Sequence, residues 1–157
     1  MINVLITFIA SFLIWIMFVG LFALWVIDGR IKREVALHAF FSSLFAWILA
    51  HFIKSLVPTI RPYQINGGSP LTVFPPSDGS FPSGHTAAAF ALGITVWLHN
   101  KKFGFIFLLW SVLIGVARVL GNVHFPSDII VGAILGSLVA IIVERIHLYK
   151  LLVRGKK

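Results

Sequence analysis

The residues best suited to chemistry lie together in residues 118–128, R-V-L-G-N-V-H-F-P-S-D, a polar interruption between two apolar runs. His124 and Asp128 are four residues apart, so the carboxylate can hydrogen-bond one ring nitrogen and fix the tautomer. The other ring nitrogen is then available as a directed base or nucleophile. Arg118 adds a rigid fork of donors that suits a phosphate group. This stretch predicts an oriented imidazole beside an anion site.

Three cations stand where the apolar character of the chain makes charge costly: Lys54, Arg61 and Arg118. If they converge, they repel one another unless an anion such as phosphate lies between them, and polar groups at membrane depth are functional by default. Lys54 taken alone could instead extend its ammonium to the membrane interface. His38 and His51 are expected to be packing or interfacial histidines.

A third polar segment is F-P-S-G-H, residues 81–85. We expect Pro82 in the first turn of a helix, beside a capping serine or glycine. The free backbone N–H groups and the dipole of such a terminus form an anion site, to which Ser83 adds a hydroxyl. His85 would then lie in the first turn, beside the same anion.

Two histidines near one phosphate can divide the work of phosphoryl transfer. His124 has Asp128 to orient it and stabilise its cation, so we expect it to attack phosphorus. His85 has no carboxylate nearby in sequence, so we expect it to protonate the leaving oxygen. The alternative is zinc held by the same two histidines and Asp128, but three surrounding cations argue against a metal ion. A purely structural role would bury cations without an anion to compensate them.

The composition places these residues in a membrane protein. Of the 157 residues, 59% are hydrophobic and 11% charged, and the mean hydropathy is +0.98, whereas about a quarter of a soluble domain is charged. The net charge of +8 argues weakly for nucleic-acid binding, because the cations flank apolar runs instead of covering one soluble face. Cysteine is absent, which excludes disulfides and thiolate chemistry.

The apolar runs predict an all-α, polytopic bundle in one domain, residues 1–157, with about five spans. A bilayer core needs roughly 20 helical residues. The first run could be a cleaved signal peptide, but no basic residue precedes it and it is too long for a signal core. The Pro-, Gly- and Ser-rich residues 58–80 predict a long loop. The expected spans are residues 4–27, 35–57, 81–98, 103–117 and 126–143.

The distribution of cations predicts how the bundle is oriented. Most of them follow the first, third and fifth spans, and cytoplasmic loops are enriched in Lys and Arg. The N-terminus is therefore expected outside and the C-terminus in the cytoplasm, so that the candidate site residues gather at the outer face. The cations assigned to the cytoplasm are Arg30, Lys32, Arg33, Lys101, Lys102, Arg145, Lys150, Arg154, Lys156 and Lys157.

Three motifs together resemble those of the type 2 phosphatidic acid phosphatase and vanadium haloperoxidase superfamily. They are K-S-L-V-P-T-I-R-P at residues 54–62, F-P-S-G-H at residues 81–85 and A-R-V-L-G-N-V-H-F-P-S-D at residues 117–128. They occur in the family's order and spacing, and the resemblance covers about residues 35–145. Ala117 departs from the serine common before the arginine, and membrane members commonly have six helices where five are expected here.

The resemblance implies a metal-independent phosphatase with a phosphohistidine intermediate and no cofactor. In it His124 is the nucleophile, His85 the acid and Asp128 the partner of His124. The residues it implies for phosphate binding are Lys54, Arg61, Ser83, Gly84 and Arg118.

The leading hypothesis is therefore a lipid phosphatase of the cell membrane, acting at the outer face on phosphatidic acid, phosphatidylglycerol phosphate or a polyprenyl diphosphate. Its expected partners are that substrate and membrane lipids, with no nucleic acid and a possible homo-oligomer. The alternative is a non-catalytic protein that binds or transports lipid phosphates. Binding alone would need only the cations, so the two histidines and the aspartate favour the enzyme. A vanadate-dependent peroxidase is disfavoured because the chain is nearly all membrane.

Overall fold

The computed structural model describes residues 1–26, 29 and 31–146, and within these ranges the secondary structure is helical, without a strand. The expected all-α class is thus confirmed for the described residues. Arg30, the end of the first expected span at Ile27 and the cations beyond Ile146 lie outside them. The helices are α1 (Ile2–Val26), α2 (Arg33–Leu56), α3 (Pro62–Asn66), α4 (Gly84–His99), α5 (Lys101–Leu120) and α6 (Pro126–Ile146).

Four of the described helices, α1, α2, α5 and α6, are long and apolar enough to cross a membrane. Each covers an expected span with ends within three residues of the prediction. The remaining expected span corresponds to α4, whose 16 residues extend about 24 Å along a helix axis. The prediction of about five spans thus depends on α4, and it stays a prediction.

Helix α4 is the centre of the bundle, because it packs against α2, α5 and α6. Its buried residues include Ala87, Ala88, Ala89 and Gly93, so neighbouring backbones can approach closely, as the small residues predicted. It begins beside the other candidate motifs. It ends at His99, and Asn100 is a single-residue link whose side chain accepts a hydrogen bond from the Phe103 N–H and caps α5. Helix α4 therefore runs from one end of the bundle to the other.

Two glycines of α6 determine how closely it lies against α4. A Cβ at Gly132 would stand 2.7 Å from the Ser83 carbonyl oxygen, and one at Gly136 would overlap the Ala87 carbonyl. The G-x-x-x-G spacing therefore marks a packing face, as expected. This contact fixes the start of α6, which carries Asp128, against the start of α4, which carries His85.

Helix α1 packs mainly against α5 and touches α2 over only a short stretch. The long connection between α2 and α4 contacts α1 in the first half of that helix, where the Val73 N–H donates to Ser11 Oγ at 3.1 Å. This connection contains the short helix α3, which the sequence analysis did not predict. Phe74, in the same connection, is 84% exposed.

Candidate active site

The His124 ring and the Asp128 carboxylate form the buried centre of the site. His124 Nδ1 lies 3.3 Å from Asp128 Oδ2, which also accepts the Phe125 N–H at 2.9 Å. Both residues are 2% exposed. The i, i+4 spacing thus produces the predicted contact, although His124 itself lies in the connection before α6. A carboxylate at Nδ1 favours the tautomer with its proton on that nitrogen.

The other nitrogen of the ring, His124 Nε2, faces two guanidinium groups. Arg61 Nη1 and Arg118 Nη2 each lie 3.4 Å from it. Burial and the charges of Arg118, Arg61 and Lys54 outweigh the hydrogen bond to Asp128 and lower the pKa of His124 to about 4. The ring is therefore neutral near pH 7, with the lone pair of Nε2 directed toward the cations. This arrangement disfavours a metal ion at Nε2, because a third positive centre would stand beside two guanidinium groups.

Arg118 joins the site to α1. Its Nη1 donates to the Ala10 carbonyl at 3.2 Å, and its side chain is buried, with the residue 4% exposed. Within the described part of the chain, its buried Nε has no hydrogen-bond partner. An unsatisfied buried donor costs roughly 1–3 kcal/mol. That cost is removed if an anion binds beside the guanidinium.

Arg61 holds the two connections of the site together. Its Nε donates to the Asp78 carbonyl at 2.8 Å, and its Nη1 donates to the Val123 carbonyl at 2.7 Å. Its Nη2 donates to the Gly79 carbonyl at 2.8 Å and to Asp78 Oδ1 at 2.7 Å. Arg61 is 1% exposed. Most of its donors are therefore occupied by the protein, and a phosphate reaches this guanidinium only by replacing one of these contacts.

Asp78 places a carboxylate among the cations, and the sequence analysis did not identify it as a site residue. Besides its pair with Arg61, its Oδ2 lies 3.3 Å from Lys54 Nζ and 3.7 Å from His51 Nε2. Partial burial alone would raise the pKa of Asp78, but the charge of Lys54 and the hydrogen bond and charge of Arg61 outweigh it and lower that pKa. Asp78 is thus an internal anion at the cationic cluster.

Lys54 points into the site. Its Nζ donates to the Gly79 carbonyl at 2.9 Å, and the residue is 8% exposed. The burial and contacts of its ammonium therefore favour a role of Lys54 in the site over the interfacial alternative. His51, one turn earlier on α2, lies at the rim of the site, and its ring contacts Trp47 in a tilted arrangement with centroids 4.1 Å apart.

The F-P-S-G-H segment forms the start of α4. Ser83 is the N-cap, and its Oγ accepts hydrogen bonds from the Thr86 N–H at 3.4 Å and the Thr86 hydroxyl at 2.9 Å. Pro82 therefore precedes the cap, and its predicted position in the first turn is wrong. The Gly84 and His85 N–H groups belong to the first helical turn, where backbone donors have no intrahelical acceptor. A Cβ at Gly84 would stand 3.2 Å from His51 Cε1, so glycine allows α4 to start close to α2.

His85 lies where the polar site meets an apolar cleft. The charges that act on its ring are those of Arg118, His124, Lys54 and His51. The cleft has a volume of about 760 Å³ and separates α1 from α2. The cleft was not predicted, because it depends on the angle between α1 and α2, and the sequence of each helix indicates only a membrane span. Its lining, besides His85, includes Ile14, Trp15, Phe22, Trp25, Phe40 and Trp47.

The structure thus brings together predicted residues of all three motifs at one end of a membrane-type helix bundle. A family model described as the PAP2 superfamily matches residues 35–151, three quarters of the chain. The chain is an integral membrane protein that belongs to the PAP2 superfamily, and the family resemblance of its motifs is confirmed.

Three similar proteins extend this result. A protein of Bacillus licheniformis named bacitracin transport permease protein BcrC is 29% identical over 143 residues, covering 91% of this chain and 70% of its own length. An undecaprenyl-diphosphatase BcrC of Bacillus subtilis (strain 168) is 29% identical over 124 residues, covering 78% of this chain and 61% of its own length. The crystal structure of Aquifex aeolicus LpxE aligns with a TM-score of 0.77 at 28% identity, covering 92% of this chain and 86% of that one.

Proposed function

We propose that this protein is a membrane lipid phosphatase that works through a phosphohistidine on His124. The observation that carries the proposal is the position of His124 Nε2, 3.4 Å from each of two guanidinium groups, next to an apolar cleft that reaches His85. A lipid phosphate has the two matching parts, an anionic head and an apolar tail. The membership of the PAP2 superfamily supports the same class.

The head of the substrate binds among Lys54, Arg61 and Arg118. Its oxygens take over the donors that now contact Asp78 and His124 Nε2, and they supply an acceptor for the buried Arg118 Nε. The Gly84 N–H and the helix dipole at the start of α4 add to the anion site. The Ser83 oxygen accepts the Thr86 hydroxyl, which fixes this helix terminus, and its own O–H donates to a phosphate oxygen. The cations then stabilise the negative charge that the transferred group carries in the transition state.

In the first step, His124 Nε2 forms a bond to phosphorus while the bond between phosphorus and the bridging oxygen breaks. His85 donates a proton to that leaving oxygen, and Asp128 stabilises the positive charge on the phosphorylated ring through Nδ1–H. In the second step, water gives a proton to His85 and attacks phosphorus. The phosphorus–nitrogen bond breaks, inorganic phosphate leaves, and both histidines return to their starting states. No step uses a metal ion.

Polyprenyl diphosphate is the substrate that we propose first, before phosphatidic acid and phosphatidylglycerol phosphate. The similar protein of Bacillus subtilis is named undecaprenyl-diphosphatase. Lys54 and His51 extend the polar site beyond the two guanidinium groups, which gives a second phosphate a place to bind. The cleft residues of α1 run from Ile14 to Trp25, about 16 Å along a helix, which suits a long apolar chain.

We also propose that the site faces the extracytoplasmic side of the cell membrane. We further propose that α4 crosses the membrane, which brings the number of spans to five. Helix α4 starts at the site, and His99 at its other end meets Glu144 near the end of α6. The exposed Lys101 and Lys102 lie at that second end, away from Lys54 and Arg118. Because cytoplasmic loops are enriched in Lys and Arg, the position of Lys101 and Lys102 supports a cytoplasmic location for their end of the bundle.

The alternative is a protein that binds or transports lipid phosphates without hydrolysing them, and the name of the similar Bacillus licheniformis protein, a transport permease, favours it. Phosphate release separates the two functions. The purified protein in detergent with EDTA is incubated with polyprenyl diphosphate, phosphatidic acid and phosphatidylglycerol phosphate, beside the matched His124→Ala variant. We expect release by the wild type, fastest with the diphosphate, and none by the variant. Saturable lipid binding by both proteins without release would instead support the transporter.

A further inference from the structure

A second cluster of titratable side chains lies at the end of the bundle opposite the active site. It joins three helices: His38 is on α2, His99 is the last residue of α4, and Glu144 is on α6. Glu144 Oε2 lies 3.1 Å from His38 Nδ1 and 3.0 Å from His99 Nε2. One carboxylate oxygen thus stands between two imidazole nitrogens from different helices.

The donor atoms of this cluster have the spacing of a metal site. The candidate ligand atoms of His38, His99 and Glu144 all lie within 4.8 Å of one another. Ligands held at about 2.0–2.2 Å from a tetrahedral zinc ion are separated by roughly 3.3–3.6 Å. Small rotations of the His99 and Glu144 side chains would therefore let all three atoms reach one ion. Two histidines and one glutamate also form a common three-residue ligand set for zinc.

The surroundings of the cluster allow an ion to enter and remain. His38 is 1% exposed, which fixes one ligand in the bundle, whereas the side chains of Glu144 and His99 are 25% and 32% exposed. A cavity of about 190 Å³ borders His99, with Lys32 and Asn100 in its lining. The charge of Lys32 opposes a cation there, and the negative charge of Glu144 compensates it. The partly exposed ligands leave room for water as a fourth ligand.

We propose that His38, His99 and Glu144 bind one divalent metal ion of the zinc class, which ties α2, α4 and α6 together. The imidazole ligands select a transition metal over Mg²⁺ or Ca²⁺, which prefer oxygen ligands. The three helices that the ion joins carry Lys54, His85 and Asp128 near their other ends. The site stabilises the bundle and takes no part in phosphoryl transfer, so this inference does not depend on the proposed activity.

Metal analysis of the full chain, purified without a histidine tag and treated with chelator, tests the proposal. We expect one equivalent of Zn²⁺ to bind and to raise the melting temperature. Binding and the increase in melting temperature should both be lost in His99→Ala and in Glu144→Gln. His51→Gln is the matched control, because it removes a partly exposed histidine at the other end of the bundle and should leave Zn²⁺ binding unchanged.

Spectroscopy of the wild type keeps the test independent of how the variants fold. Substitution with Co²⁺ should give the absorption bands of a four- or five-coordinate site, and X-ray absorption of the Zn²⁺ form should show two imidazole ligands and oxygen. Two outcomes overturn the proposal. One is that the protein binds no saturable equivalent of Zn²⁺, which would mean that the three side chains form a hydrogen-bonded cluster without a metal ion. The other is binding that neither cluster variant changes, which means an adventitious ion only.

Discussion

The Arg61 guanidinium and the Asp78 carboxylate form an ion pair of 2.7 Å between Nη2 and Oδ1. Arg61 also donates through Nε to the Asp78 carbonyl at 2.8 Å, so the side chain and the backbone of one residue are held by the same guanidinium. Lys54 Nζ lies 3.3 Å from the second carboxylate oxygen. Asp78 therefore neutralises the cations that we propose for the substrate, and substrate and carboxylate must compete for them.

Replacement of Asp78 by asparagine should strengthen phosphate binding. The variant keeps the size of the side chain but removes the competing charge, and partly exposed ion pairs contribute up to about 1 kcal/mol. We expect the inhibition constant of inorganic phosphate to fall by up to about fivefold. Asp78→Glu keeps the charge and serves as the control. Weaker phosphate binding in Asp78→Asn would mean that Asp78 acts chiefly by orienting Arg61.

The same ion pair predicts a pH dependence of stability. The pKa of Asp78 is lowered in the folded protein, so its contribution to folding is complete above the ordinary aspartate pKa of about 3.9 and is lost as the pH falls through the folded value. The melting temperature of the wild type in detergent should exceed that of Asp78→Asn near pH 6, and the difference should shrink below about pH 4. A difference that is constant from pH 6 to pH 3 would contradict this assignment.

The two histidines should respond differently to a good leaving group. His124→Ala should abolish turnover of every substrate, because the attacking nitrogen is gone. His85→Ala should regain turnover with p-nitrophenyl phosphate, whose leaving oxygen needs little proton donation, by up to the roughly 10²–10⁴-fold that general acid catalysis contributes. The measurement is the ratio of kcat for lipid and nitrophenyl substrates in each variant. If acid-labile label from radioactive substrate is trapped on the His124→Ala protein but not on the His85→Ala protein, the roles of the two histidines are the reverse of those proposed.

Asp128→Asn should slow catalysis, although the His124 ring should remain neutral near pH 7. The hydrogen bond that His124 donates to Asp128 raises the pKa of His124, which is about 4, so the loss of this bond lowers that pKa further. The ring then stays neutral near pH 7, and the loss of activity comes from the wrong tautomer and from the missing support for the cation. We expect kcat to fall by a factor that is constant above about pH 5. NMR titration of the labelled ring checks the pKa, and recovery of activity at high pH would contradict the explanation.

Gly136→Ala should disturb the active site from two turns away. A Cβ there overlaps the Ala87 carbonyl, and overpacking of this kind costs about 1–3 kcal/mol. The shift of α6 should move Asp128 relative to α4 and lower kcat together with the melting temperature. Gly20→Ala is the matched control, because its Cβ would have its nearest neighbour at 3.7 Å. Equal effects of the two substitutions would rule out a specific role for the α4–α6 contact.

The membrane bundle and most of the site could be predicted from the sequence, because both depend on local signals. Apolar runs of sufficient length specify helices, and the four-residue spacing of His124 and Asp128 places them in contact. Pro82 was placed one step too far into the helix, since its ring suits both the first turn and the residue before a cap. The side-chain hydroxyl of Ser83 selects the second arrangement by capping Thr86.

The features that were missed depend on long-range packing. Asp78 lies in a loop rich in proline and glycine, and its role appears only when that loop folds back onto Arg61, 17 residues away in sequence. His38 and Glu144 are 106 residues apart, and no local pattern links them. One weak sequence signal does point to Asp78. It is a carboxylate in the loop that follows Lys54 and Arg61, and these cations have few acidic residues near them in sequence.

The cleft between α1 and α2 has a consequence for kinetics. Several of its lining side chains stay exposed on the outer surface of the bundle, among them Trp15 at 64% and Phe22 at 56%, so the cleft opens sideways toward the lipid. In the lipid phosphatase that we propose, a substrate that enters there would keep its tail in the bilayer while its head reaches His124. The relevant concentration is then the mole fraction of substrate in the membrane, and the rate of encounter is set by lateral diffusion in two dimensions. Dilution of the substrate with inert lipid at constant bulk concentration slows such an enzyme, whereas dilution of the whole suspension does not.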